Sequence, residues 1–144
     1  MDCDTIKILI RKHMASIFTK IINREMSGHI VRETDKFIAI LDIFPNQPGH
    51  TLVIPKKEID YLFDLPQDLY QELWEEVRII SEALKKVTGR HKIGVKVEGL
   101  QVPHVHIHLI PIDKPQDFNA KTTVTQEEMV ELVRKIQQEL PKSE

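Results

Sequence analysis

Three histidines occupy alternate positions in one apolar run, Val102-Pro103-His104-Val105-His106-Ile107-His108-Leu109-Ile110-Pro111. Alternation of this kind is the pattern of a half-buried strand. Successive side chains of a strand point to opposite faces. His104, His106 and His108 are therefore expected on one face, with Val105, Ile107 and Leu109 packed into a core on the other. Neighbouring imidazoles disfavour one another's protonation, so the arrangement is costly. A strand with a purely structural task could use Thr or Ser instead. Three uses are open from the residues alone. The histidines could line a solvated strand face. They could bind one zinc ion, because neutral imidazoles two apart on a strand suit tetrahedral coordination. Or one neutral imidazole could attack a phosphoryl centre while its neighbours and backbone N–H groups hold the oxygens.

The elements that must position this strand follow from periodicity and turn residues. Ile17, Phe18, Ile21 and Ile22 at helical spacing predict a short helix over Ser16–Met26. Ile30–Glu33, Phe37–Leu41 and Thr51–Ile54 read as strands, with a turn-rich loop at Asp42–Gly49. Glu58–Asp64 reads as a helical turn. Leu69, Leu73, Val77, Ile80 and Leu84 form one apolar stripe of a long helix from near Pro66 to Val87, with Gly89 as its stop. Ile93, Val95 and Val97 alternate in a fourth strand, and Gly99–Pro103 would link it by a short hairpin to a histidine strand over His104–Ile110. Ile112–Val124 reads as a polar loop. Thr125 and Glu128 make a capping box for a last helix, at about 125–140, ended by Pro141. The expected architecture is α+β, with about five mainly antiparallel strands, one long helix and shorter helices.

Bulk composition narrows the function. The chain has 144 residues, 41% of them hydrophobic and 29% charged, which suits one domain with a real core. A formal charge of -2 gives no electrostatic case for nucleic-acid binding. The single cysteine, Cys3, excludes an intrachain disulfide and any cysteine-rich metal site, and suits a reducing, cytoplasmic setting. No apolar run approaches the roughly 20 residues of a membrane span, and Met1–Lys12 lacks the features of a signal peptide. Residues 1–13 fit poorly with the rest of the chain and are either a natural extension or a cloning-junction scar, with residues 14–144 as the domain proper.

His104-Val105-His106-Ile107-His108-Leu109-Ile110 resembles the signature of the histidine-triad (HIT) family, three histidines separated by apolar residues and followed by two more. Leu41-Asp42-Ile43-Phe44-Pro45 with Pro48-Gly49-His50-Thr51-Leu52-Val53-Ile54-Pro55-Lys56-Lys57 also looks like that family, as does the opening Ser16-Ile17-Phe18-Thr19-Lys20-Ile21-Ile22. The resemblance implies a HIT-like fold and a nucleotide hydrolase, or a nucleotidyl transferase, usually a homodimer with an interface made by the long helix and an adjoining strand. Trp74 and Val77 are candidate contacts there, or plain core. The implied substrates are purine nucleoside phosphoramidates or dinucleoside polyphosphates, cleaved at the α-phosphate to release a nucleoside monophosphate. A nucleotide-binding module with little turnover is the rival from another class.

The resemblance also implies roles. His106 would be the nucleophile, forming a covalent nucleotidyl-histidine. His108 would bind a phosphate oxygen or assist the leaving group, His104 would orient the site, and His50 would fix the tautomer of His106. Asp42 would hold the ribose hydroxyls, its alternative being a loop-opening Asp bonded to local backbone. Ile17, Phe18 and Ile22 would wall the base, and Gly99, Gln101 and Val102 would lie on the substrate. The chain departs from the common pattern in having Leu100 and Gln101 where Gln and then Ser or Thr are usual, and Lys96 where an Asn is usual. Gln101 could donate an amide N–H and Lys96 could supply charge. Some family members build a structural zinc site on Cys-x-x-Cys; Ser16 and Thr19 stand there instead, and hydroxyls are poor zinc ligands. No metal and no cofactor are expected.

Overall fold

The computed structural model describes residues 17–142. The extension 1–13 and Ser16 lie outside the described residues. Five strands, β1 (Ile30–Glu33), β2 (Phe37–Leu41), β3 (Thr51–Pro55), β4 (Lys92–Lys96) and β5 (Ile107–Ile112), form one sheet in the order β1-β2-β3-β5-β4. Every pairing is antiparallel. Three helices accompany it: α1, described over 17–22, α2 (Gln67–Thr88) and α3 (Gln126–Glu139), with 3-10 turns at Leu62–Asp64 and Pro115–Phe118. The expected α+β architecture of five antiparallel strands with one long helix and shorter ones is present.

The alternation of each strand feeds two apolar layers. Val31, Ala39, Val53, Val105, Ile107 and Leu109 meet Leu73, Val77, Ile80 and Leu84 of α2 and Met129 and Ile136 of α3. On the opposite face, Ile38, Ile40, Leu52 and Ile54 meet Phe18 and Ile21 of α1. Complete burial of each such side chain contributes about 1.5–3 kcal/mol. β2 and β3 are buried along their whole length, as central strands covered on both faces must be. A bidentate ion pair, Arg32 Nε to Glu76 Oε2 at 2.8 Å and Arg32 Nη2 to Glu76 Oε1 at 3.1 Å, ties β1 to α2. The helix ends follow their capping residues. Gly89 takes the left-handed conformation at the end of α2, and Thr125 accepts from the Glu128 N–H at the start of α3.

Several boundaries differ from the sequence reading. The strand carrying the triad starts at Ile107, not His104, and runs on to Ile112. β3 pairs with it only as far as Val53↔Ile107 and β4 only to Lys96↔His108, so residues 104–106 have no ladder to join. They are held by turn contacts instead: the His104 N–H donates to the Val102 carbonyl at 2.8 Å and the Val105 N–H to the Ile59 carbonyl at 2.8 Å. The link from β4 to β5 is consequently the longer segment 97–106 rather than a tight Gly99–Pro103 hairpin. The supposed polar loop after the triad contains the end of β5 and the turn Pro115–Phe118. Helix α1 stops at 22 rather than 26, followed by Arg24 with φ 65°. The helical turn expected over Glu58–Asp64 is confined to Leu62–Asp64. Pro66 caps α2 from outside rather than sitting in its first turn. Val77 is core, 5% exposed, which removes it as a surface contact, while Trp74 is half-buried against the same core.

Candidate active site

The three triad histidines do share one side of the sheet, although only His108 is in the strand. Val105, Ile107 and Leu109 enter the helix-side core, and the imidazoles lie on the α1 side. Ring centroids of His106 and His108 are 5.0 Å apart, and Phe18 of α1 stands 5.0 Å from His106 and 5.7 Å from His104. His104 and His106 are not solvated, at 0% and 7% exposed, and His108 is half-buried, which rules out the open-face reading. A buried imidazole must find partners for its nitrogens, and those partners determine its tautomer.

Carbonyl oxygens only accept, so two assignments follow directly. His106 Nδ1–H donates to the His104 carbonyl at 2.7 Å, and His104 Nε2–H donates to the Pro55 carbonyl at 2.7 Å. Neutral His106 therefore carries its lone pair on Nε2. A second chain of bonds starts from the backbone. The Asn46 N–H donates to His50 Nδ1 at 3.0 Å, which places the His50 proton on Nε2. That Nε2–H donates to His108 Nδ1 at 2.9 Å, leaving the His108 proton on Nε2. His50 thus sets the tautomer of His108 rather than the expected one of His106, which the His104 carbonyl sets. Burial pushes both His50 and His108 down to about 4; the Asp42 carboxylate pulls against that shift, and the Lys96 ammonium adds to it. Both are neutral at pH 7, as the relay requires.

Asp42 closes the cluster. Its Oδ1 accepts from the Phe44 N–H at 2.8 Å, the local backbone bond of a loop-opening Asp, while Oδ2 lies 3.6 Å from His50 Nε2. That distance is too long for a hydrogen bond, so Oδ2 keeps acceptor capacity. Asp42, His50 and His108 each place one potential ligand atom within 4.8 Å of the others. A metal ion there would have to displace the proton that His50 shares with His108. The Thr19 hydroxyl donates to Glu58 Oε1 at 2.9 Å.

The remaining expected residues divide. Phe18 touches two of the histidines, and Ile22 and Val102 pack on the same apolar cluster. Ile17, beside Phe18 on α1, is 38% exposed. Gln101 and Leu100 are exposed on the β4–β5 link; Gly99 there has φ 71°, a left-handed conformation that favours glycine.

Sequence reasoning missed the scaffold under His50. Gln47 Nε2–H donates to the Asp117 carbonyl at 3.3 Å, Asn46 Nδ2–H to the Phe118 carbonyl at 2.8 Å, and Arg90 Nη2–H to Gln47 Oε1 at 2.8 Å. Asp117 in turn accepts the Asp113 and Lys114 N–H groups at 2.9 and 3.1 Å, which hold its carboxyl below the ordinary value. This network joins loop 45–50 to the turn after β5 and thereby aims the Asn46 N–H at His50. The available signal was weak: polar Asn46 and Gln47 between two prolines in an otherwise apolar stretch.

Comparison with known proteins agrees with this geometry. The HIT domain family model matches residues 23–115. A HIT-like protein of Borreliella burgdorferi is 36% identical over 112 residues, covering 73% of this chain and 81% of that one. The adenosine 5′-monophosphoramidase HNT1 of Saccharomyces cerevisiae is 36% identical over 98 residues, covering 67% of this chain and 62% of the enzyme. The crystal structure of a HIT-like protein from Bartonella henselae superposes with a TM-score of 0.75 at 35% identity, covering 86% of this chain and 95% of that one. Family model, sequence match and structural superposition agree: the chain belongs to the HIT domain family.

Proposed function

We propose that the protein is a nucleotide hydrolase that cleaves at the α-phosphate of purine nucleoside phosphoramidates or dinucleoside polyphosphates. The observation that carries this reading is the tautomer of His106, whose Nδ1–H is committed to the His104 carbonyl and whose Nε2 lone pair is left for attack. A monophosphoramidase among its relatives supports the substrate class. Nε2 forms a bond to the α-phosphorus as the bond to the leaving group breaks. An amine leaving group takes the electron pair and a proton from His108 Nε2–H. Water then attacks the nucleotidyl-histidine, gives a proton back to His108 Nε2, breaks the Nε2–phosphorus bond so that the electron pair returns to His106, and releases the nucleoside monophosphate. Splitting one displacement into two lowers each barrier, and the His104 carbonyl stabilises the positive charge on the substituted ring. Phe18 and Ile22 face the base, and Asp42 Oδ2 accepts from the ribose. The working unit is a homodimer.

The test is turnover of a substrate panel by wild type and His106→Ala. Loss of at least about 10⁴-fold in kcat is expected, with substrate binding largely retained, because a nucleophile acts mainly on the transition state. Rapid acid-free quenching of wild type should give an acid-labile nucleotide adduct on His106. Turnover should persist in excess chelator, and added zinc should inhibit. Activity within a few-fold of wild type in His106→Ala, or activity restored to stripped enzyme only by zinc, would refute the covalent-histidine reading.

A further inference from the structure

We infer that the His50–His108 end of the site is a subsite for an anionic leaving group, a phosphate or sulfate oxyanion, held by Lys96 with Lys121 beside it. The inference rests on the hydrolase reading and deepens it. Lys96 lies directly across from His108 in the β4–β5 register. Directly opposed residues of antiparallel strands share a face, with Cβ atoms about 5 Å apart. A free lysine would wave into solvent, but this one is held. Its Nζ lies 5.6 Å from the centroid of the Phe118 ring. That ring lies tightly against Gly94, where a Cβ would come within 3.2 Å of Phe118 Cε1 and the ring would have to give way. Gly94, Phe118 and Lys96 thus form a stacked support for one ammonium beside the relay.

This ammonium has an aromatic face under it and no carboxylate within ion-pair distance among the described residues. Lys121 donates to the Phe44 carbonyl at 3.4 Å, just beyond Asp42, and its charge also reaches His50. Two cations therefore converge on a pair of neutral imidazoles, with the Asp42 carboxylate 3.6 Å from His50 Nε2. Two ammonium groups against that carboxylate leave a positive balance, which favours negative charge on a ligand. An amine leaving group must gain a proton, which His108 supplies. A phosphate or sulfate leaves with the electron pair of the broken bridging bond on its own oxygen. It needs no proton, only a fixed positive charge near that oxygen. Lys96 supplies that charge and transfers no proton.

The experiment compares kcat/KM for adenosine 5′-phosphoramidate, diadenosine tetraphosphate and adenosine 5′-phosphosulfate in wild type, Lys96→Met and Lys96→Arg. In Lys96→Met the ratio of either anhydride to the amide is expected to fall on the order of tenfold, the usual scale for one charge-assisted contact. Lys96→Arg should recover part of it. A fall for the tetraphosphate alone would restrict the subsite to phosphate, and a fall for both anhydrides defines it as a general oxyanion site. An equal fall for all three substrates would place Lys96 on the α-phosphate and overturn the inference, as would an unchanged ratio. A binding arm separates this from failure of the hydrolase reading. In the His106→Ala background, ADP should bind tighter than AMP by calorimetry, and Lys96→Met should remove the difference. Equal binding of ADP and AMP before that substitution would also overturn the subsite, whatever the enzyme turns over.

Discussion

The proton on Nδ1 of His106 decides which nitrogen can attack, and it is placed by a carbonyl only two residues away. Residue types and spacing made the cluster legible, because three alternating histidines in an apolar run are rare without a task. They did not reveal the tautomers, which depend on partners brought in by folding: the His104 and Pro55 carbonyls and the Asn46 N–H. Asp42 shows the same division. The sequence raised both a ribose ligand and a local turn bond, and the structure makes the turn bond with Oδ1 while leaving Oδ2 able to accept. The two oxygens separate the roles, so a single substitution tests the proposed one. Asp42→Ala is expected to weaken ribonucleotides by about 1–2 kcal/mol more than their 2′,3′-dideoxy analogues, the scale of a lost hydrogen bond to a charged acceptor. Calorimetric titration of both ligand types reads this. An equal loss would leave Asp42 with its turn alone.

At the scale of elements, the strands and long helices were readable from periodicity, and the failures cluster where the chain serves the site. Alternation over residues 104–110 promised a strand, yet its first half is a turn, because neither neighbouring strand extends far enough to pair with it. Side chains still alternate there, so the faces were right although the element was not. Loop 45–50 was legible only as a loop. Its order comes from Arg90 at the start of the chain into β4 and from Asp117 after β5, residues 43 and 70 positions from Gln47, and no local pattern reports such a contact. This scaffold acts on the chemistry through one N–H. Arg90→Leu leaves the Gln47 carbonyl oxygen and the Asp117 carboxylate short of a donor. The loop should loosen and the Asn46 N–H should lose its aim at His50. The expected result is a fall in kcat of roughly tenfold with KM little changed, the pattern for a group that acts mainly in the transition state. Imidazole ¹⁵N shifts should show His50 leaving its pure Nε2–H tautomer. A variant that lowers thermal stability while kcat and the ¹⁵N signature stay put would make the network purely structural.

For the whole molecule, the two apolar layers and the α+β class were legible because strand and helix periods differ plainly along the chain. Which surface would meet the second copy of the proposed dimer was not legible from alternation, since an edge strand and a core strand can carry the same pattern. β4 lies at the sheet edge with Val95 and Val97 more than a third exposed, and Trp74 is only partly covered by its own core. Light scattering at micromolar concentration should give twice the chain mass, and a monomer would refute the dimer. Acid should report on the site through global stability. His50 and His108 are held neutral by burial, with pKa values lowered to about 4 from the ordinary 6.5. As pH falls below about 6.5 the unfolded chain gains protons on these two residues that the folded protein refuses until about pH 4. Stability is then present above the unfolded value and lost between the two, with a slope of at most about 1.4 kcal/mol per pH unit for each histidine. His108 keeps some solvent contact, so its share is smaller. Carboxylates with lowered values, such as Glu33 and Asp117, act at more acid pH, which leaves the interval between pH 6.5 and 5 to the histidines. Urea midpoints measured across that interval should decline in wild type and decline less in His50→Gln with His108→Gln. Parallel slopes in the two proteins would mean that these imidazoles protonate as freely in the fold as outside it, and the neutral relay would have to be abandoned.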